Sequence, residues 1–206
     1  GATLSIDPGT KIIVQSGGSY KKKIIVDSGS FLNATSVSER ITFSSENNTP
    51  DSWGGIEFLG NSESSNISVS LLKGVKISDA NNAITIVGQG INIEDCVFEG
   101  NNKSIYLKNT DGVKIIDSIF NDAQGGIDTP YETQGYGPHL NTEIANNLFQ
   151  GGGTAIAIWP NQRNVDNLVI KNNVIASTHS EGIRVGGGGY GSHLGDVEIA
   201  GNDIDS

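Results

Sequence analysis

The chain has 206 residues, a formal net charge of −10 and 28 Gly. Its 26 Ile and 13 Val against 10 Leu, together with 21 Asn, favour strands and turns and exclude a helical bundle. The acidic balance excludes a basic stripe for nucleic acid, and no apolar run is long enough to insert in a membrane as a helix.

In chain order, the first third offers short apolar runs: Leu4-Ser5-Ile6, Ile12-Ile13-Val14, Ile24-Ile25-Val26, Phe31-Leu32 and Ile41-Thr42-Phe43. Ile56-Glu57-Phe58 and Val75-Lys76-Ile77 follow, each bounded by polar or Gly-containing turns. From there a repeat becomes plain. Ile93-Glu94-Asp95-Cys96-Val97-Phe98 recurs as Ile115 to Phe120, Ile144 to Phe149, Ile170 to Ile175 and Ile199 to Ile204. Between these copies lie Ile84-Thr85-Ile86, Ile105-Tyr106-Leu107, Ile127-Asp128-Thr129, Ile156-Ala157-Ile158 and Ile183-Arg184-Val185. Alternation of this kind predicts strands with the outer residues inward and the middle one outward.

Periods of about 21 to 29 residues suit the coils of a solenoid. The Leu-x-x-Leu-x-Leu framework of leucine-rich repeats is missing. The expected fold is all-β, a right-handed single-stranded parallel β-helix, formed by one domain over residues 1–206. The absence of Met, even at position 1, reads as a piece taken from a longer chain. Stacked coils would align Phe98, Phe120 and Phe149 in one internal column. They would also turn Asn147, Asn173 and Asn202 into a ladder at a bend, with Cys96 as a small buried member of that column.

The spacings locate a candidate site. Ile93–Ile105, Ile115–Ile127, Ile144–Ile156 and Ile170–Ile183 are 12, 12, 12 and 13 residues apart. The other arm, from Ile84–Ile93 to Ile183–Ile199, runs 9, 10, 17, 14 and 16. One corner is constant and the other expands in three consecutive coils, so the insertions should form one wall. Gly-Tyr-Gly-x-His-Leu occurs in it twice, at 135–140 and 189–194. Tyr131, Tyr136, Trp159 and Tyr190 offer rings for stacking on sugars, and Tyr106 stands in the adjoining outward column. Asp128 or Glu132 would serve as acid or base, assisted by His139 or His193, with Arg184 in the same group. Arg163 and Arg184 suit a uronate carboxylate. Paired carboxylates would indicate hydrolysis; a base beside a neutralised carboxylate would indicate elimination. Each residue also has a plainer reading, Asp128 as a solvated strand residue and the Tyr-His motif as loop packing. Two His two coils apart do not make a metal site, and His179 reads as a surface residue. No cofactor is implied, and Ca2+ is left unsupported because no cluster of Asp suited to it is obvious. Lys21-Lys22-Lys23 reads as a solvated turn.

Leu4-Ser5-Ile6-Asp7-Pro8-Gly9-Thr10, Arg40-Ile41-Thr42-Phe43-Ser44-Ser45 and Trp53-Gly54-Gly55-Ile56-Glu57-Phe58 resemble the opening coils of pectin-lyase-like surface β-helix proteins of archaea and bacteria. More narrowly, Tyr136-Gly137-Pro138-His139, Gly151 to Ile156, Ile158-Trp159-Pro160 and Glu181 to Val185 are similar to the disaggregatase-related β-helix domain of methanogenic archaea. The resemblance implies a secreted or envelope protein acting on an acidic, chondroitin-like matrix. The expected function is therefore extracellular or cell-surface polysaccharide hydrolysis or elimination by a monomer. The rival is a non-catalytic glycan-binding or adhesion module. Four Asn-X-Ser/Thr sequons, at Asn33, Asn47, Asn66 and Asn102, accord with an extracellular site.

Overall fold

Runs of only three to five alternating residues cannot bury an apolar face alone, so each needs a parallel neighbour above and below. The computed structural model describes residues 1–16, 21–60, 69–88, 90–121, 124–129, 139–159, 164–176, 180–186 and 193–205. Within them the chain visits three sheets in rotation, one strand of each per coil except for two short sheet A strands in the last, and neighbouring strands run parallel. This is a parallel β-helix, as the repeat predicts. No helix among the described residues is long and apolar enough to cross a membrane.

Sheet A contains Thr3–Ile6, Phe31–Thr35, Ser70–Lys73, Ile91–Glu94, Val113–Ile116, His139–Ala145 and Asn164–Lys171, followed by His193–Leu194 and Val197–Ala200. Sheet B starts at Lys11–Val14 and Ile41–Ser45 and ends at Val174–Ala176 and Asp203–Asp205. Sheet C contains Lys23–Val26, Gly55–Leu59, Asn82–Val87, Lys103–Lys108, Gly125–Asp128, Thr154–Ile158 and Ile183–Val185.

The inward columns are those expected. Ile93, Ile115, Ile144 and Ile170 pair in register on sheet A and are fully buried. Phe98, Phe120 and Phe149 stack through sheet B with ring centroids 4.9 and 4.5 Å apart. Room for these rings comes from the facing sheet. From the second strand of sheet C onward, the residue before the first inward Ile of each strand is small: Gly55, Ala83, Ser104, Gly126, Ala155 and Gly182. A Cβ added to Gly126 would lie 2.4 Å from the Ala155 carbonyl and 2.8 Å from the Phe149 ring.

The bend between sheets A and B needs two residues of different kinds. Asp95, Asp117, Asn146 and Asn172 take left-handed φ values of 49°, 53°, 56° and 54°, which Asn and Asp tolerate best. The following residue points inward and bonds to the preceding coil. Asn147 Nδ2 donates to the Ile115 carbonyl and its Oδ1 accepts from the Ser118 N–H, both at 3.0 Å. Asn173 and Asn202 repeat the pattern on Ile144 and Ile170. Cys96 occupies the same position two coils earlier, buried, with its N–H donating to Ser118 Oγ. Burial pushes its thiol up to about 12, which makes it an inert packing residue.

The three connections that the spacing marks as expanded run from sheet C to sheet A, and part of their length extends sheet A. His139–Leu140 pairs with Val165–Asp166, and Asn164–Val165 pairs with His193–Leu194. A second ladder, outside the barrel, follows this ledge. Asn167 Nδ2 donates to Asn141 Oδ1, and Asn141 Nδ2 donates to Asp111 Oδ1. Asn141 and Asn167 again have positive φ, 50° and 55°.

Candidate functional site

Strand parity puts Glu57, Thr85, Tyr106, Asp128, Ala157 and Arg184 in one outward column across sheet C. Asp128 and Arg184 are therefore two strand spacings apart, about 10 Å. Both line an open groove of about 330 Å³, together with Trp159. Three of the residues singled out from sequence thus meet on one rigid face.

Their charges are not loose. The Asp128 carboxylate forms an ion pair with Lys103. Arg184 Nη1 donates to both oxygens of Glu181, at 3.0 and 3.1 Å. Its guanidinium also lies 4.0 Å from the centroid of the Trp159 ring. The Trp159 backbone is held in turn, its N–H donating to Thr129 Oγ1 at 2.7 Å. Among the described residues, two cations and two carboxylates line this groove in balance within an acidic chain. Thr154, Ser180 and Gln124 add uncharged hydrogen-bonding groups to its walls.

Sequence reasoning passed over Lys103 and Glu181. The available signal was positional: Asn82, Lys103, Gly125, Thr154 and Glu181 each precede the small residue of their coil and form a second outward column. Tyr106 lies outside the groove lining, with Lys103 Nζ 4.9 Å and Lys108 Nζ 5.0 Å from its ring centroid.

The two loop histidines stand elsewhere. His139 begins a sheet A strand, is buried, and has Nδ1 3.1 Å from Thr110 Oγ1. Burial lowers its pKa to about 4, so it is neutral at pH 7. His193 is exposed on the last sheet A coil. The two motif histidines are not equivalent in space: His139 lies opposite Val165, and His193 lies opposite Asn164. A slip of one residue turns a side chain to the other face of a sheet. Glu132, Tyr131, Tyr136, Arg163 and Tyr190 lie outside the described residues, as does His179.

Among the described residues no three His, Cys, Asp or Glu side chains are grouped to hold a metal ion. No family model, no curated protein and no solved structure matches the chain.

Proposed function

We propose that the protein recognises a polysaccharide laid along sheet C, with Trp159, Arg184 and Asp128 at the centre of the contact. The observation that carries this reading is the Trp159 ring, fixed by Arg184 on one side and bordered by polar groups in an open groove. Sugars need that combination, an apolar surface for the ring face and hydrogen-bonding partners for the hydroxyls. A flat sheet face with side chains about 4.8 Å apart along the stack also suits a polymer better than a compact metabolite.

Cleavage of the same chain, by hydrolysis or elimination, is the second reading. It is favoured by two carboxylates, Asp128 and Glu181, lining one groove with Lys103 and Arg184. A uronate-containing, extracellular or cell-surface glycan and a monomeric protein belong to this proposal. Supporting it, the sequon residues Asn33 and Asn47 are exposed. The finer likeness to pectin-lyase-like proteins and to the disaggregatase-related domain belongs here too, since its segments contain Trp159, Glu181 and Arg184.

The test is titration with neutral and uronate polysaccharides, followed by calorimetry for binding and by reducing ends and ultraviolet absorbance for product. Binding without product selects recognition; product selects cleavage. Neither binding nor product with any of them refutes the proposal.

A further inference from the structure

The same outward face carries a second groove, of about 230 Å³, nearer the other end of the stack. Its lining includes Lys21, Lys23, Lys108, Glu57, Asn82 and Thr85. The lysine run that reads as a solvated turn in the sequence therefore contributes two side chains to a concave site. Lys21 is ion-paired with Asp51 and Lys23 with Glu57, which holds both ammonium groups at the groove. Lys108 reaches it from the far side, beside the Tyr106 ring.

The two grooves differ in chemistry. Among the described residues, the first has a Trp ring and balanced charge, and the second has no aromatic ring and three cations against one carboxylate. A neutral sugar face gains little there. A carboxylate or sulfate gains charge-assisted hydrogen bonds from lysines and donors from Asn81 and Asn82 side chains. Glu57 and Asp128 stand in the same column three strand spacings apart, about 14 Å.

We propose that the second groove is an anion subsite, which takes a carboxylate or sulfate group of the glycan whose ring stacks on Trp159. The inference rests on reading sheet C as a glycan face, and it adds that the glycan is polyanionic and long enough to reach both grooves. The ion-paired lysines are poised rather than fully neutralised, because an incoming anion competes with Glu57 and Asp51 for donors that are already positioned.

The test has two arms on the intact chain. In the first, sodium sulfate and sodium acetate are titrated while amide NMR shifts are followed. Shifts at Asn82 and Thr85 that saturate, with none at Thr154 and Ala157, support the subsite; no shift at Asn82 and Thr85 overturns it. This arm decides even where no glycan binds. In the second, two-residue and six-residue oligomers of uronate, sulfated and neutral sugars are compared. Lys23→Gln with Lys108→Gln should weaken the charged hexamers about tenfold and leave the neutral hexamer unchanged. Glu57→Gln should tighten the charged hexamers severalfold, and the preferred charged series identifies the anion. Equal loss for charged and neutral hexamers, or no loss for either, overturns the proposal while leaving glycan recognition at Trp159 intact.

Discussion

The Arg184 guanidinium covers the Trp159 ring at 4.0 Å from its centroid, and Glu181 holds that guanidinium through both carboxylate oxygens. The three residues come from two neighbouring coils and act as one support. Glu181 fixes Arg184, and Arg184 fixes the indole. Trp159→Ala should therefore weaken glycan binding about tenfold, the value of an aromatic platform near 1.4 kcal/mol. Glu181→Gln should weaken it less, by loosening the support and keeping the ring. Calorimetric titration of both variants checks the order. Trp53 is fully buried, so in the Trp159→Ala variant tryptophan fluorescence should no longer respond to a neutral glycan, which occupies the first groove alone.

The phenylalanine stack and the small column of sheet C form one packing unit. Phe120→Ala removes the middle ring and should cost about 3 to 5 kcal/mol in urea unfolding. Gly126→Ala should destabilise as well, by about 1 to 3 kcal/mol, because its methyl meets the Ala155 carbonyl and the Phe149 ring. Phe149→Leu should partly relieve Gly126→Ala, and a double-mutant cycle measures the coupling. Additive losses would show that the two columns are independent.

Asn173 is a fully buried rung of the ladder. Its replacement by Ala leaves the Ile144 carbonyl and the Asn147 N–H without their partners inside the barrel. Such orphaned groups cost about 1 to 3 kcal/mol each, so Asn173→Ala should lose on the order of 3 kcal/mol. Asn202 makes the same bonds but is only partly buried, and water can replace them there. Asn202→Ala should lose clearly less. Equal losses at the two positions would contradict this account of the bend.

His139 should give the fold a pH dependence. In the unfolded chain its imidazole takes a proton near pH 6.5, whereas burial holds its pKa in the fold at about 4. Between these values the unfolded state binds more protons, so stability falls as pH falls, by up to about 3 kcal/mol. Glu143 adds a loss at lower pH, because hydrogen bonding from Lys171 and the nearby Lys114 hold its carboxyl below its ordinary value. Replacing His139 by Leu and Thr110 by Val removes the buried pair. Urea unfolding of that variant should vary little between pH 6.5 and pH 5. An unchanged slope would place the pH response elsewhere.

How far the sequence could be read follows from what each signal depends on. The coil repeat, the Phe column, the Asn rungs and the corner that expands all rest on local spacing, and they stand as expected. Asp128 and Arg184 were legible because strand parity turns them outward, and Trp159 because it opens one of the expanded connections. The two motif histidines share a local sequence but not a position on sheet A. Counting back from the aligned Ile shows the difference: His139 is five residues before Ile144, but His193 is six before Ile199. Lys103 and Glu181 were obscured because their column is set by the small residue beside it, not by the apolar alternation. Lys21 and Lys23 looked like a solvated run, since nothing local shows that Lys108, three coils later, closes a groove with them.

Glycan recognition on sheet C is the central claim, and amide NMR mapping of a uronate hexamer on the intact chain tests it most directly. The expected shifts fall on sheet C at Gly125, Asp128, Thr154, Ala157, Glu181 and Arg184, joined by Asn82 and Thr85 when the second groove is filled, with the outer faces of sheets A and B unmoved. Shifts confined to those other faces, or a hexamer that moves nothing while other glycans also fail, would contradict it.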